Sequence, residues 1–255
     1  MNTPQRQQRF KLFVQCVNLR ILLRILICCN YHDTWDEVNQ MATRESTLRE
    51  IKETGVVAVI RMSDPKKLQH VVQAIREGGV SCIEITMTTP KALQMIEKTA
   101  DAIGDNSVIG VGSVLDPETA RAAILAGAEY VVCPTLNRDV IEMSRRYGKV
   151  VIPGAMTPTE ILTAWQAGAD VVKVFPATSL GPQYIKDIKG PLPQIELSPT
   201  GGVDANTIGA FIKAGASAVA VGSALLNKQA IADEKYEVLT DLAKQLTEEV
   251  RKARA

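Results

Sequence analysis

The chain has 255 residues, 46% of them apolar, and a formal net charge of +1, so it can bury a large core but offers no charge imbalance to attract nucleic acid or membrane. Aromatic residues make up only 4% and interleave with no basic cluster, which also argues against a nucleic-acid surface. Five cysteines without framework spacing and two histidines, His32 and His70, outside any ligand pattern speak against a disulfide scaffold and a zinc centre, and suit a reducing compartment.

Residues 1–42 differ in character from the rest of the chain. Leu12 to Cys29 is apolar but holds Arg20 and Arg24, with Arg6, Arg9 and Lys11 ahead of it and no acidic residue before Asp33. Each central arginine would cost about 2.5–3.5 kcal/mol at membrane depth, so a membrane span is not expected. A secretory signal would lack those arginines and show a small-residue cleavage site. The expectation is an over-extended translational start or a disordered tail, with a basic amphipathic presequence as the alternative. Met41-Ala42-Thr43 reads as a natural start, and a helix is predicted over Glu45 to Thr54, stopped by Gly55.

From Gly55 onward one phrase recurs four times. It reads Gly78-Gly79-Val80, Ala126-Gly127-Ala128, Ala167-Gly168-Ala169 and Ala214-Gly215-Ala216, each closing a helix and opening an apolar strand. Eight strands are predicted: Val56–Arg61, Cys82–Thr88, Val108–Val114, Tyr130–Pro134, Val150–Gly154, Val171–Phe175, Gln194–Pro199 and Ala218–Gly222. Helical stretches lie between them, including Pro65–Glu77, Pro90–Ile103, Pro117–Ala126 and Pro158–Ala167, with proline where its missing N–H is not needed. Eight βα units of this length predict one domain over 43–255, a closed (β/α)₈ barrel. An open doubly wound sheet would want a glycine-rich turn after the first strand, but Arg61-Met62-Ser63-Asp64-Pro65 stands there.

Alternation along the strands selects the residues that face the interior. Val57, Val59 and Arg61 share one face; so do Cys82, Glu84 and Thr86, and so do Val171, Lys173 and Phe175. Active sites form at the C-terminal ends of barrel strands, where these polar members lie. A lysine in an apolar strand is poorly placed for stability. Burial favours its neutral amine, a nucleophile for carbonyl carbon. Taken alone, it could still be a strand lysine whose head snorkels to water. Glu84 could be its structural partner, and Arg61 a solvated strand end. Together the three suggest an amine, a proton shuttle and a guanidinium fork for a substrate carboxylate, which describes a site for pyruvate or a larger 2-keto acid.

Two glycine turns mark the far end of this site. Thr200-Gly201-Gly202 follows strand seven, and Gly222-Ser223 follows strand eight. Barrels commonly hold phosphate with the loops after these two strands, here with the Ser223 hydroxyl expected at a helix start.

These residues resemble the 2-keto-3-deoxy-6-phosphogluconate (KDPG) aldolase family, also called 4-hydroxy-2-oxoglutarate (KHG) aldolase. The matching strings are Val57-Ala58-Val59-Ile60-Arg61, Gly79-Val80 with Ile83-Glu84-Ile85-Thr86, Gly110-Val111-Gly112-Ser113-Val114, Pro153-Gly154 with Thr157-Pro158-Thr159-Glu160, Lys173-Val174-Phe175-Pro176-Ala177 and Pro199-Thr200-Gly201-Gly202-Val203. They run in family order through the body of the chain. The resemblance implies a class I, metal-free aldolase on a (β/α)₈ barrel, a cytoplasmic homotrimer without cofactor. It would split the phosphorylated keto acid into pyruvate and glyceraldehyde 3-phosphate, a late step of the Entner–Doudoroff route. By position, Lys173 is similar to the Schiff-base lysine and Glu84 to the acid/base. Arg61, Ser113 and Pro134 look like pyruvate-end contacts, and Phe175 like a pocket wall. Thr200, Gly201, Gly202 and Ser223 resemble distal and phosphate-end contacts, and Thr86 and Gly222 complete the expected lining. Ser113 stands where the family more often has threonine, and Thr88 where some members have arginine. That second departure leaves the gluconate, galactonate and hydroxyoxoglutarate substrates open. A phosphosugar isomerase or synthase on the same barrel, or a non-catalytic sugar-acid binder, is the alternative.

Overall fold

The computed structural model describes residues 43–103 and 107–255. The readings of residues 1–42 as an over-extended start, tail or presequence lie outside the described residues.

The predicted first helix is α1, Arg44–Thr54. Thr43 caps it reciprocally: its side chain accepts from the Ser46 N–H, and the Ser46 hydroxyl accepts from the Thr43 N–H. Gly55 ends the helix in the left-handed region, at φ 70°. There follow β1 (Val56–Ile60), α2 (Pro65–Glu77), β2 (Cys82–Thr86), α3 (Ala92–Ile103), β3 (Val108–Gly112), α4 (Pro117–Leu125), β4 (Tyr130–Val132) and α5 (Arg138–Arg146). The second half holds β5 (Val150–Ile152), β6 (Gly154–Ala155), α6 (Pro158–Gln166), β7 (Val172–Val174), α7 (Gly181–Lys189), β8 (Leu197–Pro199), α8 (Ile208–Lys213), β9 (Val219–Val221), α9 (Lys228–Ala232) and α10 (Glu237–Arg254). Among the described residues no helix is long and apolar enough to cross a membrane.

The repeated phrase has one structural meaning. The glycine at its second position takes φ 94° at Gly79, 102° at Gly127, 100° at Gly168 and 105° at Gly215. The next N–H then reaches back five residues: Val80 to Ile75, Ala128 to Ala123, Ala169 to Ala164 and Ala216 to Phe211. This is the Schellman closure, and it turns the chain from helix into strand. Lys149 makes the same bond to Ser144 after Gly148, a fifth copy that the alanine-glycine phrase does not reveal.

All strand pairings are parallel, giving a parallel α/β fold. One sheet runs β5-β4-β3-β2-β1-β9 and the other β6-β7-β8. The predicted strand Val150–Gly154 is split into β5 and β6 at Pro153, which has no N–H to give the ladder. Its carbonyl still accepts from the Lys173 N–H at 2.9 Å. Past β8, Thr200 makes an isolated parallel bridge to Ala220 of β9. The predicted third strand stops at Gly112 rather than Val114, because Ser113 turns left-handed at φ 60°. Arg61 lies one residue beyond β1, and β2 ends at Thr86 rather than Thr88.

Alternate strand residues make an interior cluster of Val57, Val59, Cys82, Tyr130, Val132, Val150, Ile152, Val171, Ala218 and Ala220. α1 closes it from below with Ile51, and Leu48 packs alongside. The opposite strand faces join the surrounding helices in a larger core. Two ion pairs fasten α1 to this frame: Arg44 to Asp170 at 2.5 Å, and Lys52 to Glu196. The buried Asp170 carboxylate also accepts from the Val151 N–H at 2.9 Å. Asp170→Ala strands both donors, although Arg44 keeps some access to water. The expected loss is about 2–3 kcal/mol of stability. An unchanged urea midpoint would show that α1 docks without it.

Candidate active site

Glu84, Lys173 and Ser198 are the polar side chains buried in the middle of the inner strand faces. Strand register puts Glu84 opposite Val59 and Gly110 in one sheet, and Lys173 opposite Gly154 and Ser198 in the other. The Glu84 side chain lies across β3, where only glycine leaves room. A Cβ on Gly112 would fall 1.8 Å from Glu84 Oε1. On the other side of β3, the Tyr130 ring fills the gap at Gly110, where a Cβ would meet it at 2.3 Å. The Gly-Val-Gly pattern of β3 is therefore a matter of space, since neither glycine has a positive φ.

Burial pushes the Glu84 carboxyl above the usual carboxylate range, while the charges of Lys173 and Arg61 pull it back down. The structure thus places Lys173 and Arg61 each within electrostatic reach of Glu84. Among the described residues, Glu84 Oε2 is buried without a hydrogen-bond partner. Lys173 is 7% exposed. Its Nζ sits 5.0 Å from the centroid of the Phe175 ring and, among the described residues, makes neither a hydrogen bond nor an ion pair. Phe175 itself is 38% exposed. Two thiols share the surroundings. Burial pushes Cys82 and Cys133 each up to about 12, so neither competes as a nucleophile near neutral pH.

The remaining predicted residues divide. Arg61 is exposed at the strand end, beside Gly222, where a Cβ would lie an ordinary 3.9 Å from Arg61 Nη1. The Gly222 backbone has no positive φ and no clash, so the fold alone does not demand glycine there. Ser113 and Pro134 are half-buried at the ends of their strands. Ser113 holds a left-handed backbone that costs a non-glycine residue about 1–2 kcal/mol. Thr200 has a buried hydroxyl without a partner among the described residues. Gly201 and Gly202 take φ 98° and 70° and turn the chain tightly against Thr178. Thr86 is buried, but its hydroxyl is engaged with Thr88 at 2.8 Å and Thr89 at 3.4 Å, so it shapes the β2 turn. Ser223 is exposed in a turn closed by Leu225 and Leu226 N–H bonds to the Gly222 carbonyl. The helix expected to begin there starts only at Lys228, behind its Asn227 cap.

Sequence reading missed Tyr130, Ser198 and Cys133. The first two carry a usable signal: Tyr130 has the parity of Val132 and Pro134, and Ser198 that of Thr200. Cys133 has the outward parity and packs in the outer core, within electrostatic reach of Lys173 and Glu84.

A profile described as "KDPG and KHG aldolase" matches residues 47–242. The chain belongs to the KDPG and KHG aldolase family. It is 37% identical over 171 residues to the 2-dehydro-3-deoxy-6-phosphogalactonate aldolase of Escherichia coli, covering 67% of this chain and 83% of that one. It is 31% identical over 197 residues to the 2-dehydro-3-deoxy-phosphogluconate aldolase of Pseudomonas aeruginosa, covering 77% and 88%. Among solved structures it is similar to the KDPG aldolase of Legionella pneumophila, captured with pyruvate as a covalent carbinolamine intermediate. That match has 25% identity and a TM-score of 0.72 over 78% of this chain and 97% of the other.

Proposed function

We propose that this aldolase works through a Schiff base on Lys173 and cleaves 2-keto-3-deoxy-6-phosphogluconate to pyruvate and glyceraldehyde 3-phosphate, with 4-hydroxy-2-oxoglutarate as a further substrate. One observation carries the reading: a buried, uncommitted lysine nitrogen shares the strand interior with a buried carboxyl that has an unpartnered oxygen. The neutral Lys173 amine adds to the C2 carbonyl of the keto acid, and loss of water leaves an iminium. Glu84 as carboxylate takes the proton of the C4 hydroxyl. The C3–C4 bond then breaks, its electrons passing into the iminium to give an enamine, and the aldehyde departs. Protonated Glu84 returns a proton to C3, and water releases pyruvate and the free amine. A carboxyl that burial raises and two cations lower is suited to both accepting and donating.

In this reading Arg61, Ser113 and Pro134 hold the pyruvate carboxylate end, and Phe175 lines the pocket beside the amine. The unpartnered Thr200 hydroxyl and the Gly201, Gly202, Gly222 and Ser223 turns take the distal, phosphorylated end. The two sheets are then arcs of one closed eight-stranded barrel, a view supported by the single-residue break at Pro153 and the Thr200–Ala220 bridge. The enzyme acts in the cytoplasm as a homotrimer and needs neither metal nor cofactor. The galactonate epimer is the second reading, favoured by the 37% identity to the phosphogalactonate aldolase.

Pyruvate release from the two epimeric phospho-keto acids and from 4-hydroxy-2-oxoglutarate tests these assignments. The gluconate epimer is expected to give the highest kcat/KM, with no loss in EDTA. A preference for the galactonate epimer would replace the first reading with the second. No pyruvate from any of the three would overturn both. Loss in EDTA that magnesium or manganese restores would make the aldolase metal-dependent.

A further inference from the structure

Tyr130 is fully buried at the head of β4, on the inner face, and its hydroxyl has no hydrogen-bond partner among the described residues. An unpaired buried hydroxyl costs stability that phenylalanine would avoid. Its ring packs as phenylalanine would, so packing accounts for the ring and not for the oxygen. Another unpartnered atom of the same interior is Glu84 Oε2. These two side chains approach from opposite neighbours of β3 and lie over Gly110 and Gly112, two residues apart on one strand face. Those two glycine positions lie about 6–7 Å apart along β3, which sets the scale of the gap between the two side chains. One bridging water between two oxygens spans about 5–6 Å.

We propose that Tyr130 is a positioning residue for Glu84: its hydroxyl donates toward the Glu84 carboxylate through a bridging water and holds it aimed into the pocket. The inference rests on the reading of Glu84 as acid/base. The groups facing Glu84 from neighbouring elements are Lys173 on β7, Arg61 beyond β1, and Tyr130 and Cys133 at β4, with Cys82 below it on β2. Tyr130 stays neutral, because burial, Cys82 and Glu84 all keep its proton on, and its O–H is a stronger donor than the neutral thiols of Cys82 and Cys133. A neutral donor favours the carboxylate without adding charge to the pocket.

The test is the pH dependence of kcat and KM in Tyr130→Phe, which keeps the ring and removes an oxygen that no described residue satisfies. Without its donor, Glu84 holds its proton to higher pH, so the acid limb moves upward. The expected result is a kcat about three- to tenfold below the parent on the acid side, the worth of one hydrogen bond, recovering as pH rises. KM stays unchanged, and the substitution has no further effect in a Glu84→Gln background. A kcat equal to the parent at every pH, or a deficit uniform across pH, would overturn the inference. Inactive Glu84→Gln together with an unmoved Tyr130→Phe profile removes this inference alone. Active Glu84→Gln removes the acid/base reading and this inference with it.

Discussion

Lys173→Met is expected to lower kcat by at least about 10⁴-fold while the protein stays folded, because a covalent nucleophile has no substitute in the pocket. Methionine matches the length of the lysine stem and needs no solvation, so stability should be equal or higher. Borohydride in the presence of pyruvate should attach a reduced adduct to Lys173 of the parent and leave the variant unlabelled, as peptide mass mapping can show. A phosphosugar isomerase or synthase on the same frame would behave differently. It would keep partial activity in Lys173→Arg and take no label. Failure to trap an adduct on folded parent protein ends the Schiff-base reading.

Glu84→Gln should separate activity from stability. With no group able to cycle a proton, kcat falls by about 10²–10⁴-fold. Stability moves the other way at neutral pH. Burial, the largest influence, raises the Glu84 carboxyl in the folded chain, and the opposing pull of Lys173 and Arg61 is smaller. The folded chain therefore keeps a proton that the unfolded chain has already released. The contribution of this group is fully present below the unfolded carboxyl range and is lost as pH rises through the raised folded value. Glutamine has no such loss. Urea midpoints from about pH 4 to pH 8 should show parent and variant converging at the acid end and the variant pulling ahead above it. Parallel curves would mean that Glu84 is not held protonated by its surroundings.

Much of this frame was legible in the residues. The glycine phrases gave the helix-to-strand turns because a left-handed Schellman closure strongly favours glycine. Alternation gave the inner face, including Lys173 and Glu84, because a parallel strand has only two sides. Boundaries were less legible where one residue decides them. Ser113 leaves the strand through a backbone angle that serine rarely takes, and Pro153 splits a run of otherwise strand-forming residues by lacking one donor. The Gly-Val-Gly of β3 could be read as a motif but not as clearance, since its cause is two side chains from other strands. Thr86 shows the limit most clearly: the right face and the right height, yet a hydroxyl already taken by Thr88 and Thr89.

The helix beneath the strand interior also bears on the order of events. With Ile51 seated against the inner strand residues and Leu48 beside it, α1 covers one end of the strand interior, and in the closed barrel proposed above it leaves a single mouth. In the proposed chemistry the pyruvate half is tethered at depth on Lys173, while the aldehyde half lies toward the opening. The aldehyde must clear the mouth before water frees the tethered half. In synthesis the sequence inverts, and the keto acid loads before its acceptor. A stoppered floor thus imposes a queue: first in, last out.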